Sequence, residues 1–297
     1  MATTAASNPL AGTRELDSRR ASTRRKAGAP LAYLALTLGA VVMLMPYAWM
    51  LATSFKSGSE AFSANFFPRQ PTLSAYVEAW SGERIQSAFP RWYLNSLVVT
   101  AISVASALFF CSLGGYAFSR YRFPGRTLRF VLVISTIMIP TEMLVLPWFQ
   151  LMVDYKWVNT YQGLLWPHMV HGFGIFMMKQ FIDGVPDELL DAGRVDGMSE
   201  FGIFWKIVLP LVRPALAALA ILTFLEVWND FLWPVIVTTD IQMWTVSMGI
   251  GSYTAQLATD WNLQMAAATV ASVPIILIFI FFQRQIIEGI ALTGLRG

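Results

Sequence analysis

The 297 residues are 56% hydrophobic and only 13% charged, with 21 Lys and Arg against 18 Asp and Glu. Soluble domains carry about a quarter charged residues, so this composition excludes an ordinary water-soluble globule and describes a chain built for lipid. A single cysteine, Cys111, excludes a disulfide framework and a cysteine-based zinc site, and no glycine is followed by lysine, which excludes a G-x-x-x-x-G-K-[ST] phosphate loop.

In chain order, residues 1–29 are rich in Ala, Ser, Thr and Arg without apolar periodicity and read as a disordered, basic N-terminus. Its cluster from Arg19 to Lys26 abuts the first apolar run and serves as a positive anchor at the membrane surface. A membrane-crossing helix needs about 20 apolar residues. Six stretches qualify, at about 31–54, 93–117, 127–151, 163–182, 214–237 and 265–287. The first is too long for the apolar core of a secretory signal and ends in PYAWMLATSF with no small-x-small cleavage site, so it reads as a retained span. The predicted fold is therefore an all-α membrane protein of six spans.

Sixteen of the 21 Lys and Arg fall in the N-terminus, the segments after the second and fourth spans, and the tail. Basic residues accumulate in cytoplasmic loops, which puts both termini inside. The largest external segment, roughly 55–92, is too short for a domain of its own and reads as a cap on the outer mouth. YRFPGR is a tight turn between the second and third spans, the outer loop 238–264 carries no Lys or Arg, and the tail 288–297 is too polar to continue the sixth span. His168 and His171, three apart in the fourth span, have no carboxylate beside them in sequence and read as a satisfied polar pair rather than metal ligands.

The cytoplasmic segment 183–213 is unusual between apolar runs. Pro186 sits at a first helical position, and Asp187, Glu188 and Asp191 suit the positive end of the helix dipole. Gly197 ends this helix, Ser199 caps a second, and Pro210 stops it. Phe201, Phe204, Trp205, Val208 and Leu209 recur at helical spacing and predict one buried stripe. Ala192, Gly193 and Gly197 form a patch almost without side chains, a costly choice in a helix unless another backbone approaches closely there. The acids disfavour a helix that merely lies on an anionic leaflet, and a protein partner suits them better.

Asp191-Ala-Gly-Arg-Val-Asp-Gly-Met, followed by Ile207-Val-Leu-Pro-Leu, resembles the EAA loop of permease subunits in ATP-binding-cassette importers. Asp191 stands for the usual Glu and Gly193 for a usual Ala, while Ala192, Gly197, Leu209 and Pro210 match the pattern. NFFPRQPTLSAY, WYLNSLVVT, GYAFSRYRFPGR, PTEMLVLPWF, WNDFLWP and EGIALTGLRG are similar to the carbohydrate-importing subset, near the second permease of maltose-type transporters. The resemblance implies that Asp191, Ala192, Gly193, Asp196, Gly197 and Met198 form a coupling helix seated on a cytoplasmic ATPase dimer. It also implies a homologous second permease, an external solute-binding protein, a sugar substrate and a bacterial inner-membrane location. ATP and magnesium would belong to the ATPase, with no cofactor or nucleic acid in this chain.

Ionisable residues inside spans cost roughly 2.5–3.5 kcal/mol each on insertion scales, so Glu142, Glu226 and Asp230 require explanation. On a continuous helix, Glu226, Asn229, Asp230 and Trp233 share one face, with Trp228 one step aside. Carboxylates and amides hydrogen-bond to sugar hydroxyls, and an indole offers a flat apolar face to a pyranose ring. The same groups would equally suit an interface or gate between subunits. Glu142, between Pro140 and Pro147, lies where a kink is predicted. Two alternatives stay open: the same machine carrying a glycerophosphodiester or polyol, and an ion-coupled secondary transporter using the three acids as a cation relay.

Overall fold

The computed structural model describes residues 10–81, 89–256 and 260–294, with side chains over 30, 32–81, 89–252 and 260–283. Among the described residues every regular element is helical. In chain order they are α1 (Leu10–Ser54), α2 (Ser74–Ser81), α3 (Phe89–Arg120), α4 (Arg126–Ser135), α5 (Thr141–Asp154), α6 (Tyr161–Leu165) and α7 (Gly172–Asp183). They continue with α8 (Asp187–Val195), α9 (Glu200–Ile203), α10 (Leu209–Leu211), α11 (Arg213–Asn229), α12 (Leu232–Val237), α13 (Val246–Gln256) and α14 (Trp261–Gly294).

Among the described residues, three helices are long and apolar enough to cross a membrane unbroken: Ala32–Ser54 within α1, α3, and Trp261–Gln283 within α14. The other apolar stretches are interrupted. The expected third span bends by 101° between Arg126–Met138 and Thr141–Asp154, because Ile139 is extended and Pro140 lacks an amide donor. The fourth divides into α6, a 3-10 turn over Trp166–His168, and α7. The fifth ends at Asn229 and resumes at Leu232. Hydropathy registers apolar length, and it is blind to these local breaks.

Both chain ends are more helical than expected. α1 begins at Leu10, inside the stretch read as irregular, where Leu, Ala, Glu and Arg are good helix formers. α14 runs through the polar tail to Gly294; residues 1–9 and 295–297 lie outside the described residues.

α3 and α7 form the most extensive helix contact, and the reason is local composition. A Cβ on Gly115 would come within 2.8 Å of the backbone nitrogen of Lys179 and of Met178 Cβ, so only glycine permits this approach. Small residues let helices pack at van der Waals distance in lipid, where the hydrophobic effect supplies no drive between them. Cys111 is fully buried in this contact as a small core residue, and its thiol donates weakly to the His171 carbonyl at 3.7 Å.

Residues 238–252, the first part of the expected outer loop, are not a loose connection. Their backbone carbonyls at Ile241, Gln242 and Trp244 accept hydrogen bonds from Trp92 Nε1 and Asn95 Nδ2, at 2.7 to 2.9 Å, and Ser96 Oγ accepts from the Val246 amide. Asn95, fully buried, completes its set by accepting from the Tyr161 hydroxyl at 2.7 Å. A buried amide with every group satisfied ties the N-terminal part of α3 to α6 and to the turn before α13.

Candidate functional site

Two constellations stand out: the polar loop after α7 and the cluster of helix breaks.

The loop is built from short-range signals. α8 follows Pro186, which lies in the capping position one residue before the expected first turn. At its far end Gly197 adopts φ 75°, the Gly197 amide donates to the Arg194 carbonyl and the Met198 amide to the Gly193 carbonyl, both at 3.0 Å. This is a Schellman closure, which requires a left-handed residue and so selects glycine. Ser199 Oγ then accepts the Gly202 amide at 3.1 Å and starts α9.

Beyond α9 the backbone passes through a π-helical turn, Phe204–Val208, before Pro210 in α10. Proline cannot donate to the turn behind it, and the resulting register shift redistributes the apolar stripe. Ile203, Phe204 and Val208 are buried with Tyr116, Met178, Ile182 and Leu190, whereas Phe201 and Trp205 stack on one another and remain exposed. The expected single buried face is therefore divided. Pro210 stops α10 only one residue later, at Leu211, before the 82° bend into α11.

The six coupling candidates also divide. Asp191, Ala192, Asp196 and Gly197 are exposed, and Met198 is half-buried. Gly193 is buried: a Cβ there would meet Ile207 Cδ1 at 2.8 Å and Ile203 Cγ1 at 3.2 Å. Its missing side chain admits this chain's own isoleucines rather than a partner's backbone.

Two polar braces hold the loop to the end of α3. Arg120, largely buried, donates to the carbonyls of Ile182 and Val185 and to the Asp187 carboxylate. Glu200 accepts from Arg194 Nε at 2.8 Å and from the hydroxyls of Tyr116 and Tyr121 at 3.1 and 3.2 Å. Arg194 also pairs with Asp191 at 2.7 Å. The tyrosines lie some eighty positions from Glu200, and the carbonyls some sixty from Arg120, so sequence spacing gave no signal for these contacts beyond the presence of unpaired charge.

The Arg194 hydrogen bond, with smaller help from the tyrosines, holds the Glu200 carboxyl below its ordinary value. A depressed carboxylate stabilises the fold above its unfolded pKa and loses that contribution as pH falls through the folded value. The thermal midpoint gap between wild type and Glu200→Gln in detergent is thus expected to be constant near neutrality and to shrink only below about pH 4. A gap that closes near pH 6 to 7 would contradict this brace.

At the second constellation, Asp230 is extended between α11 and α12, and its Oδ1 accepts the Trp233 amide at 3.3 Å. The expected single face of Glu226, Asn229, Asp230 and Trp233 is broken here. Asp230 Oδ2 meets His168 Nε2 at 3.1 Å, joining the break in the fifth stretch to that in the fourth. His171 does not pair with His168; its Nδ1 accepts the Gly174 amide and caps α7. Thr136, in the 3-10 turn that leads into the third stretch's break, packs against Gly172. Three interruptions therefore converge.

Both candidate tryptophans are packed within this chain. Trp228 is buried, stacks on Phe224 and donates to the Ala271 carbonyl at 3.0 Å. Trp233 is buried edge-on to Trp148 and donates to the Gly163 carbonyl at 2.8 Å. Neither indole has a free N–H for a ligand. Glu226, Asn229 and Glu142 are exposed, Glu142 in the first turn of α5 just after the predicted kink.

Residues 111–291 match the family described as binding-protein-dependent transport system inner membrane component. The arabinooligosaccharides transport system permease protein AraQ of Halalkalibacterium halodurans is 36% identical, over 92% of this chain and 100% of that protein. The sn-glycerol-3-phosphate transport system permease protein UgpE of Shigella flexneri is 33% identical, over 86% of this chain and 93% of that protein. A bacterial ABC transporter involved in alginate import shares the fold, with a TM-score of 0.76 at 23% identity over 88% of this chain and 97% of that one. The chain belongs to the family of binding-protein-dependent transport system inner membrane components.

Proposed function

We propose that this chain is one of two homologous permease subunits of an ATP-binding-cassette importer, carrying a neutral sugar or oligosaccharide delivered by an external binding protein. In this reading it crosses the membrane six times with both termini in the cytoplasm, the interrupted stretches counting as spans. Discontinuous backbone at membrane depth is tolerated where it is buried in protein or lines a water-filled path, and three converging breaks suit such a path.

The observation that carries the reading is the brace between loop and span. α8 and the turn after it present Asp191, Ala192, Asp196 and an 88%-exposed Val195 outward, while Arg120 and Glu200 fasten the same loop to α3. Closure of a cytoplasmic ATPase dimer on α8 would thus move α3 as a rigid body with the loop. ATP and magnesium reside in that partner. Asn229, Glu226 and Glu142 remain the candidates for the substrate wall, with Asp230 positioning the break.

The relatives divide on cargo: AraQ and the diacetylchitobiose permease NgcG of Streptomyces coelicolor are named for oligosaccharides, UgpE for a phosphate ester. Acids at Glu142, Glu226 and Asp230 would repel a phosphate, which favours the neutral cargo. Pull-down from gently solubilised membranes is expected to recover a second permease, an ATPase and a binding protein whose ligand names the cargo. Recovery of this chain alone, with ion-driven uptake in proteoliposomes lacking ATP, would overturn the reading in favour of a secondary transporter.

A further inference from the structure

At the end of the molecule remote from the braced loop, the C-terminal end of α1, the segment 55–67 and the start of α14 enclose a cleft of about 350 Å3. α3 separates the two ends, beginning near α2 and finishing at Arg120; its 32 residues at about 1.5 Å rise cover the thickness of a bilayer.

The lining has an unusual composition. Trp49, Phe62 and Trp261 supply aromatic surface, each partly exposed, and Phe62 meets Trp261 edge-on at 6.4 Å. Thr53 and Ser63 supply hydroxyls, and both Oγ atoms are buried without a hydrogen-bond partner. Thr53 itself is only 3% exposed. A helical threonine usually donates back to a carbonyl of the preceding turn, and Thr53 makes no such bond. Buried hydroxyls are nearly always paired, so two orphans on one cleft mark a place that a hydroxylated ligand would complete.

The cleft is held open in advance. Lys56, wholly buried, donates to the carbonyls of Asn65 at 2.7 Å and Ser63 at 3.5 Å, and lies 4.7 Å from the Trp49 ring centroid. Asn262 donates to the Lys56 carbonyl at 3.3 Å, and the Thr72 amide to the Phe55 carbonyl at 2.9 Å. The ammonium therefore pins the segment over the end of α1.

We propose that this cleft is a sugar subsite of this subunit, taking one ring of a neutral oligosaccharide against the aromatic faces, with hydroxyls bonded to Thr53 and Ser63. The volume suits a small ligand, near the lower end of ordinary pockets. Apolar C–H faces of a sugar pack on indole and phenyl rings, while its hydroxyls both donate and accept, matching the two orphans. A lipid chain would fill the aromatic part and leave both hydroxyls unpaired. The subsite rests on the sugar-importer reading and lies apart from the converging breaks.

The test uses the permease–ATPase complex, in nanodiscs without the binding protein for binding and in proteoliposomes with it for uptake, with arabinotriose and diacetylchitobiose as neutral probes and glycerol 3-phosphate as the charged contrast. Saturation-transfer NMR is expected to show contact with the neutral probe that the importer carries. Thr53→Val and Ser63→Ala should each weaken binding about three- to tenfold and raise the KM of uptake with kcat unchanged. Ala61→Trp, which fills the cleft, should weaken the signal at least as far as the hydroxyl variants do, in a complex that still elutes intact. Unchanged binding and KM in both hydroxyl variants, in an importer that carries the sugar, would overturn the subsite and leave the cargo reading standing. Loss of the sister permease on Ala61→Trp with silent hydroxyl variants would overturn it too, and make the cleft a seat for that subunit. Uptake of glycerol 3-phosphate and of neither sugar would overturn the cargo reading, and the subsite with it.

Discussion

Replacing Arg120 with alanine is expected to abolish ATP-driven uptake while leaving the chain inserted in the membrane. The guanidinium reaches two backbone carbonyls at the α7–α8 corner and the Asp187 carboxylate, a forked arrangement that lysine cannot reproduce. Asp187 is well exposed and returns to water at little cost, and the Ile182 carbonyl keeps the Val185 amide at 3.0 Å, so the penalty falls on the Val185 carbonyl. Leaving a buried acceptor unpaired costs roughly 1–3 kcal/mol, enough to free a short loop from its helix. Lysine should restore part of the activity and Asp187→Asn should keep most of it. Uptake in proteoliposomes, with proteolysis of the 183–200 segment as the structural control, decides the matter. Full uptake by Arg120→Ala would remove the brace from the mechanism.

The second large effect separates two glycines that resemble each other in sequence. Gly193→Leu is expected to lower the thermal midpoint, since its Cβ alone meets Ile207 and Ile203 at 2.8 and 3.2 Å. Overpacking of this kind costs about 1–3 kcal/mol. A Cβ added to Gly197 would meet nothing within 4 Å, so the constraint there is φ 75° alone. Gly197→Asp should therefore leave insertion intact, cost about 1–2 kcal/mol locally, and abolish uptake by placing a charged side chain on the exposed turn beside Asp196. Gly197→Asn, whose residue tolerates the left-handed region, should keep the turn and retain more activity. Midpoints measured with uptake for all three variants test the division. Normal transport by Gly197→Asp would count against docking at this turn.

Much of the loop was legible because its signals are local. The Gly197 closure, the Ser199 cap and the acids at the start of α8 depend on residues a few positions apart, and each lies where the pattern placed it. The apolar stripe departs from its expected face after Phe204 because a π-helical turn shifts the register, and helical periodicity carries no mark for that shift. In the fifth stretch the same assumption of an unbroken helix grouped Asp230 and Trp233 with Glu226, although Asp230 ends one helix and helps start the next.

By itself the amino-acid order determined an all-helical, lipid-adapted chain and a polar loop with its turns. Those follow from composition, hydropathic length and hydrogen bonds closed within one or two turns. The tertiary structure alone decided that His168 meets Asp230, that Glu200 meets Tyr116 and Tyr121, and that both candidate tryptophans spend their N–H groups on the carbonyls of Ala271 and Gly163. Each of these contacts joins residues more than forty positions apart, where the partner is selected by how whole helices pack rather than by any spacing along the chain.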